Sequence, residues 1–439
     1  MRKIVASTYS TSSSPPGPTS AASADLTYAF VPSVPQQAAA PAVEQLSRSR
    51  RPGPWKHRWR AWCATDAART LREAGSVWLA SVFAACVLTV MSRIGDSKAM
   101  SAHTLFMAWG QYDWGWYQWI ADDGYAARWG DGRIAAFFPL YPLLVRGFDV
   151  FVPGPSLYAA LTVSALALLG AYLLLHRLAE REFGPTVARR ASWCLAVFPT
   201  GFFLLSPYPS SLFLLLAVGA VAVMRSGRWW VAGSLCALAS GTRSAGLLLA
   251  VPFVFEYVRQ RGWKLRLDAL AVLLVPGGLL AYMTYTYLAE GDALAFIHAQ
   301  KVWFRELHAP WFAVIESANA VSRVPLSTGQ VNVLGLGAVL FMLTLLVLSV
   351  VGPWKVRRDQ FALPLLALTQ VLFLICFPVM SQPNERLMSV ARHVLEVFPM
   401  FLTLAVLARV ELINRVYVIA GLTLQGCLLA FYLHGGWIA

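Results

Sequence analysis

Residues 330–351, QVNVLGLGAVLFMLTLLVLSVV, decide the fold, because this run contains no charged side chain. A helix rises about 1.5 Å per residue, so ~20 apolar residues cross the ~30 Å hydrocarbon core of a bilayer. Comparable runs recur, and we place spans at about 76–92, 157–176, 191–206, 210–224, 230–242, 244–256, 268–288, 330–351, 361–380, 393–410 and 415–434. The sequence predicts an all-α integral membrane protein with about 11 transmembrane helices, in a range of 9 to 12.

The composition excludes a soluble protein. Of the 439 residues, 57% are hydrophobic and only 13% are charged, whereas soluble domains carry about 25% charged residues. The six cysteines are scattered, mostly inside apolar runs, and have no metal-ligand spacing. We interpret them as small core residues and predict neither a bound metal nor a cofactor, although a divalent cation is not excluded.

The N-terminal part differs from the rest. Residues 1–50 are rich in Ala, Ser and Pro, so we expect a disordered tail. Residues 51–75 form a basic, Trp-bearing juxtamembrane segment. Nucleic acid could bind it, but anchoring on anionic lipid, worth ~1 kcal/mol per Lys or Arg, is the commoner explanation. We therefore predict membrane lipids as partners and no nucleic acid, with the polytopic domain covering 76–439.

The positive charges predict the topology. With the N-terminus in the cytoplasm, about two-thirds of the 36 Lys and Arg residues fall in cytoplasmic segments, as the positive-inside rule requires. This assignment requires that 136–151 does not fully cross and that 230–256 forms a tight hairpin. We expect a multi-pass plasma-membrane protein with external segments at about 93–135 and 289–329.

Polar residues concentrate on the predicted external face. The first external segment mixes five aspartates with five tryptophans, and the second carries acidic, basic and histidine side chains. Arg243, Arg386 and Arg392 lie at external ends of spans. Acidic groups among interfacial aromatics suggest a site where a polar group meets lipid.

Six motifs, in order, resemble one family. They are YDWGWYQWIADDGY (112–125), AFFPLYPLLVR (136–146), SPYPSSLFLLL (206–216), LASGTRSAGLLLAVP (238–252), GDALAFIHAQKVW (291–303) and SVARHVLEVFP (389–399). Together they resemble the bacterial branch of the PIG-V mannosyltransferases, which belong to the GT-C class of multispanning glycosyltransferases. The resemblance implies a GT-C-like fold and transfer of a mannosyl or other hexosyl residue. The donor would be a polyprenyl-phosphate sugar, and the acceptor a hydroxyl of a lipid or glycan on the non-cytoplasmic face.

The same resemblance implies a role for Asp113. It matches the aspartate of the family's first external loop, the expected catalytic base of an inverting transfer. An aspartate is ionised at neutral pH and can take the proton of the acceptor hydroxyl. The alternative is a helix-capping or interfacial aspartate. For Asp122 and Asp123, a cap or turn before Gly124 is favoured over binding of acceptor hydroxyls.

Two arginines are predicted to bind the donor phosphate. Arg243 lies in the polar break SGTRSAG between two short apolar helices, where a charge is costly and hence a functional candidate; it could instead snorkel or cap carbonyl groups. Arg392 matches a family arginine and could bind a phosphate in bidentate fashion or mark the interface. The adjacent His393 is interpreted as a packing residue.

Further side chains are predicted to line the pocket or contact the acceptor. Tyr141 and Tyr208 lie beside prolines that suggest broken helices facing a cavity. An amphipathic helix on the membrane surface is the alternative for the segment from Asp292 to Arg305. The complete predicted lining set is Trp116, Tyr117, Asp122, Asp123, Tyr141, Tyr208, Asp292, His298 and Arg305.

Three positions depart from the family pattern. Trp114 replaces a small residue, Ser210 an acidic residue and Ser244 a proline. These departures leave a catalytically inactive scaffold open. A lipid transporter or flippase is the competing class, but we find no internal repeat of broken helices with buried charges in both halves. No P-loop, dinucleotide fingerprint or HExxH motif occurs. A nucleotide-sugar donor would usually require a soluble α/β domain, and no segment outside the predicted spans is large enough for one, which favours a lipid-borne donor.

Overall fold

The computed structural model describes residues 66–94, 101–264, 266–323, 326–381 and 385–438. Within these ranges the chain is helical and forms no strand apart from a single bridge between Arg305 and Val379. The predicted all-α class is confirmed. The predicted disordered tail and most of the juxtamembrane segment lie outside the described residues.

Seventeen α-helices are described within these ranges. In chain order they are α1 Asp66–Ser92, α2 Ala102–Met107, α3 Trp114–Asp122, α4 Leu140–Asp149, α5 Ser156–Phe183, α6 Pro185–Ala196, α7 Ser210–Met224, α8 Trp229–Thr242, α9 Ala250–Arg261, α10 Gly277–Glu290, α11 Ala295–Val302, α12 Pro310–Arg323, α13 Leu326–Val350, α14 Ala362–Cys376, α15 Val390–His393, α16 Phe398–Leu407 and α17 Glu411–Leu433. Short 3₁₀ segments join them at Ala126–Asp131, Ile134–Ala136, Gly201–Leu204, Ser244–Leu249, Leu267–Leu274, Arg358–Gln360 and Val394–Glu396.

Four of the described helices are long and apolar enough to cross a membrane: α1, α5, α17 and residues 330–350 of α13. Two bent pairs raise the number to six if each pair counts as one span. They are Leu267–Leu274 with α10, at 47°, and Val390–Glu396 with α16, at 78°. The remaining predicted spans coincide with shorter or interrupted helices, so the number 11 stays a prediction.

Helix interruptions occur inside some apolar runs that are continuous in the sequence. The predicted span 191–206 is not one helix, because α6 ends at Ala196 and a 3₁₀ turn follows at Gly201–Leu204. Pro199 lies in this gap, and Thr200 donates a 2.6 Å hydrogen bond to the carbonyl of Ala391. The break therefore ties this segment to the residue preceding Arg392.

Glycines let α8 and α10 touch through their backbones. A Cβ on Gly278 would overlap the Ala237 carbonyl oxygen and the Gly241 backbone. Small residues at helix crossings permit such close approach in membranes. Since α8 ends at Thr242, this contact fixes the position from which Arg243 extends.

Helix α5 relates the two ends of the bundle. It has 28 residues, a length of ~42 Å. Ser156 at its start donates a 3.2 Å hydrogen bond to Asp122, while Glu182 near its end binds Arg225. Segments predicted to be external thus gather at the first end and segments predicted to be cytoplasmic at the second. Which end faces the cytosol stays a prediction.

Candidate functional site

Asp113 immediately precedes α3, but its side chain does not cap the helix. It occupies the N-cap position without a side-chain capping hydrogen bond, and its carboxylate forms an ion pair with Arg392 instead. The preceding Tyr112 has a positive φ of 51°. The capping alternative is therefore not what the side chain does.

Arg392 is almost completely buried, with 7% of its surface exposed. Besides Asp113, its Nη2 donates to Ser389 Oγ at 3.3 Å. Its guanidinium lies 5.2 Å from the centroid of the Tyr208 ring. Its Nε is buried without a hydrogen-bond partner within the described part of the chain. Arg392 can thus donate further hydrogen bonds while it holds Asp113.

Arg243 lies in the predicted polar break. It follows the last residue of α8 in an extended conformation, with φ −159° and ψ 148°, before the 3₁₀ segment Ser244–Leu249. Its Nη1 pairs with Glu396 and its Nη2 lies 2.9 Å from His393 Nε2. Because a guanidinium only donates, His393 Nε2 must accept, and this ring is neutral with its proton on Nδ1.

Arg305 brings a third guanidinium to the same place from the second external segment. It donates to the carbonyls of Phe377 at 3.0 Å and Met388 at 3.4 Å. Desolvation, and next the repulsion by Arg392, lowers the pKa of Arg305 to about 10. A cation whose charged form is disfavoured in this way gains from an anionic ligand.

Backbone strain occurs shortly before three charged residues of the cluster, Asp113, Arg305 and Arg392. Within the described ranges, the non-glycine residues with positive φ are Tyr112, Phe304 and Ser389. They precede Asp113, Arg305 and Arg392 by one to three positions. Such conformations cost ~1–3 kcal/mol each and cluster at functional sites. This coincidence supports treating the three segments as one site.

Tyrosines surround the charges. Tyr208 lies beneath Arg392, and its hydroxyl donates to the Gln111 carbonyl at 2.8 Å. Tyr117 is buried within electrostatic range of both ion pairs. Tyr141 is fully buried behind Tyr117, at a ring distance of 5.5 Å, with its hydroxyl on Ser164. Tyr208 and Tyr117 are thus beside the cluster, and Tyr141 supports it from behind.

The other predicted lining residues lie farther out. Trp116 stacks on Phe137. Asp122 and Asp123 are exposed at the C-terminal end of α3, before Gly124 with φ 78°, which makes them turn residues and not an N-cap. Asp292 and His298 form an exposed pair at 2.7 Å, and this hydrogen bond lowers the pKa of Asp292. Their predicted acceptor contacts stay predictions.

No group of three or more His, Cys, Asp or Glu side chains suited to a metal ion occurs in the described ranges. The charged cluster itself contains Arg243, Arg305 and Arg392 against two carboxylates, Asp113 and Glu396. This composition favours binding of an anion, such as a phosphate, over binding of a cation.

Sequence reasoning missed Glu396. The residue lies in the quoted motif SVARHVLEVFP, four positions after Arg392. A carboxylate inside an apolar run is expensive and therefore a functional candidate. That rule, applied to Arg243, would have found Glu396 as well.

Comparison with known proteins supports the family resemblance. Residues 98–269 match the model of the family described as Mannosyltransferase (PIG-V). The rat (Rattus norvegicus) GPI alpha-1,6-mannosyltransferase 2 is 33% identical over 139 residues, which cover 29% of this chain and 27% of the relative. The GPI mannosyltransferase 2 of Yarrowia lipolytica is 33% identical over 100 residues, 23% of this chain and 28% of the relative. The matched region thus spans little more than a quarter of these relatives.

Two solved structures are similar over more of the chain. ArnT from Cupriavidus metallidurans, bound to undecaprenyl phosphate, is 16% identical, covers 75% of this chain and 59% of its own, and has a TM-score of 0.45. The Archaeoglobus fulgidus oligosaccharyltransferase in its apo form is 13% identical, covers 83% of this chain and 56% of its own, and has a TM-score of 0.44.

The family match covers one part of the site. It includes Asp113, Tyr208 and Arg243 but ends before Arg305 and Arg392. The resemblance to the PIG-V family of mannosyltransferases, predicted from six motifs, is confirmed over residues 98–269.

Proposed function

From this resemblance to the PIG-V mannosyltransferases, we propose that the protein is a membrane glycosyltransferase that moves a mannosyl or other hexosyl residue from a polyprenyl-phosphate carrier to an acceptor hydroxyl. The reaction takes place on the non-cytoplasmic face and inverts the anomeric centre. The observation that carries the proposal is the pairing of Asp113 with Arg392 beside Arg243. It joins a carboxylate base to cations suited to a phosphate leaving group.

The proposed reaction is a single displacement. The acceptor oxygen attacks the anomeric carbon and its proton passes to the Asp113 carboxylate. The bond between the anomeric carbon and the phosphate oxygen breaks, and its electron pair leaves with the polyprenyl phosphate. No general acid is needed, because a phosphate is already a good leaving group.

Arg243 and Arg392 would offset the charge that develops on the departing phosphate. Arg392 has a donor to spare, since its buried Nε has no partner among the described residues. Bidentate binding of phosphate is the geometry that guanidinium groups favour. As the phosphate engages Arg392, the hold of this residue on Asp113 weakens and the carboxylate becomes free to accept a proton.

The position of the site supports a lipid-borne donor. The cluster is formed by residues at the ends or breaks of apolar helices: Asp113 before α3, Arg243 after α8, and Arg392 in α15. A donor held by an isoprenoid tail can present its phosphate at this depth without leaving the bilayer. The acceptor hydroxyl would approach from the aqueous side.

The test uses purified protein in lipid with radiolabelled polyprenyl-phosphate mannose as donor and octyl mannoside as the acceptor that supplies the hydroxyl group. Wild type should release polyprenyl phosphate, and Asp113→Asn should lose at least ~100-fold in turnover, because the amide cannot take a proton. Asp149→Asn is the matched control and should keep its activity, because Asp149 is exposed at the end of α4 and lies outside the cluster and the predicted lining set. Equal turnover of wild type and Asp113→Asn would contradict the role of Asp113 as the base. An inactive wild type would contradict the assignment of the donor.

A further inference from the structure

Glu396 is a buried carboxylate that the proposed reaction does not use. Only 5% of its surface is exposed, and its carboxylate pairs with Arg243. Ser210 lies within side-chain hydrogen-bonding reach of it, and His393 Nδ1 is 3.8 Å from Oε1. A charge at such a position is costly unless it is paired. Its presence in an apolar run therefore calls for a function.

The backbone directs Arg392 and Glu396 to different partners. Both lie on the short helical stretch Val390–Glu396, which ends at the 78° bend before α16. Arg392 points to Asp113, and Glu396 to Arg243. One rigid segment thus holds one member of each ion pair.

Ser210 provides favourable surroundings for the carboxylate. It is the first residue of α7, and the N-terminus of a helix carries partial positive charge. The Ser210 hydroxyl and this partial charge both stabilise an anion. Glu396 therefore has Arg243 as its ion-pair partner, and the start of α7 lies nearby.

Without Glu396, Arg243 would lack its carboxylate partner. The other carboxylate of the cluster is Asp113, which lies in the same neighbourhood, since Tyr117 is within electrostatic range of both ion pairs. A guanidinium released from Glu396 would compete with Arg392 for Asp113. The proposed base, Asp113, would then pair with both Arg392 and Arg243, and the donor phosphate would lose its contact with Arg243.

We infer that Glu396 is a positioning residue, which holds Arg243 in the place where it meets the donor phosphate and keeps it from pairing with Asp113. The inference rests on the proposed function. Glu396 itself does not contact the reacting atoms. It acts through Arg243, so its removal should affect use of the donor more than use of the acceptor.

The test compares a variant that removes the Glu396 carboxylate with a variant that moves a carboxylate from position 396 to position 210. Glu396→Gln keeps the shape of the side chain and removes the charge. The double variant Ser210→Glu/Glu396→Ser exchanges the two residues and conserves charge and composition. A carboxylate at the first position of α7 is compatible with the helix dipole. Glu385→Gln is the matched control, because it removes a carboxylate from the same end of the bundle outside the cluster.

Glu396→Gln should lower kcat/KM for polyprenyl-phosphate mannose by about 100-fold, the loss expected when one charge-stabilising donor is misplaced. The KM for the acceptor should change by less than about threefold. The kcat/KM of the exchange variant should be at least about tenfold higher than that of Glu396→Gln. Glu385→Gln should behave like wild type.

Two results would overturn the inference: wild-type kinetics of Glu396→Gln, or an exchange variant no better than Glu396→Gln although both elute as folded monodisperse protein. If Glu396→Gln does not fold, the exchange variant decides alone, since it keeps the charge. Failure of the proposed function is separable, because it would leave wild type itself without turnover.

Discussion

Two charge clusters, each built around a largely buried arginine side chain, lie at the two ends of this helical bundle, and they differ in how completely their charges are matched. The site cluster combines Arg243, Arg305 and Arg392 with two carboxylates. The second, which we call the Arg225 cluster, combines Arg225, Arg259 and Arg357 with Glu182, Glu256 and Asp359. Three cations face two anions in the first, and three face three in the second.

Hydrogen bonding is also more complete in the Arg225 cluster than in the site cluster. Arg225 makes two bonds to Glu182, at 2.7 and 2.6 Å, and one to Glu256 at 3.0 Å. Gln360 Nε2 also donates to the Glu182 carboxylate at 3.2 Å and to the Glu182 backbone carbonyl at 2.7 Å. In the site cluster, Arg392 Nε and His393 Nδ1 are buried without a partner within the described ranges. The comparison teaches that the same residue types form a closed structural network at one end and an open, anion-ready one at the other.

Breaking the Arg225 cluster should have the largest effect, and on stability. Arg225→Met leaves the buried Glu182 and Glu256 without their central cation, which should cost about 3–5 kcal/mol of unfolding free energy. Thermal denaturation in detergent measures it. The protein that remains folded should turn over within about threefold of wild type. Normal stability with abolished turnover would mean that this cluster is functional and the comparison false.

A conservative change in the site cluster should act on catalysis. Arg392→Lys keeps the positive charge beside Asp113 but loses the planar fork and the free Nε donor. We expect kcat/KM to fall by about 100-fold, equal to ~2.7 kcal/mol, with little change in melting temperature. Steady-state kinetics beside a melting curve check this. A variant that loses stability and not activity would place Arg392 with the structural residues.

A smaller loss is expected at the third cation. Arg305→Lys replaces the two nitrogens that donate separately to the Phe377 and Met388 carbonyls by one ammonium nitrogen. The charge should therefore be held less firmly, and the donor KM should rise about tenfold, or ~1.4 kcal/mol. Arg386→Lys is the matched control, because Arg386 donates to the Val379 carbonyl in the same region. Equal effects of both variants would indicate that only the loop, and not the charge of Arg305, matters.

The smallest effect is expected for the exposed pair of Asp292 and His298. His298 lowers the pKa of Asp292 by a hydrogen bond, so the pair stabilises the protein above the unfolded-state pKa of about 3.9, and this contribution disappears as pH falls through the lower folded value. His298→Ala should change melting temperature and turnover at pH 7 little, as exposed pairs contribute below ~1 kcal/mol. Melting curves of the variant and of wild type should be measured at pH 7 and at pH 3. The difference between their melting temperatures should be smaller at pH 3 than at pH 7. A large loss of turnover would instead establish the acceptor contact predicted from the sequence.

Sequence patterns predicted the fold better than the site. The predicted spans coincide with most of the longer helices, because hydropathy and length are local properties. The helices α2, α3, α4, α11 and α12 lie outside the predicted spans. The break at Arg243 was also local, and the structure has it where predicted. By contrast, Asp113 and Arg392 are separated by 279 positions, and no local pattern states that they pair. The positive φ values at Tyr112, Phe304 and Ser389 depend on tertiary contacts and had no signal in the residue types.

The 78° bend after Glu396 has a consequence for what can occupy this depth. A bend inside an apolar run leaves backbone groups without helical partners, which hydrocarbon cannot satisfy. Here the Gln370 amide donates to the Glu396 carbonyl at 3.4 Å, while Gln370 Oε1 is buried without a partner in the described part of the chain. Such an oxygen calls for water. This level of the bundle therefore suits a polar group better than hydrocarbon, as the proposed carrier phosphate would require.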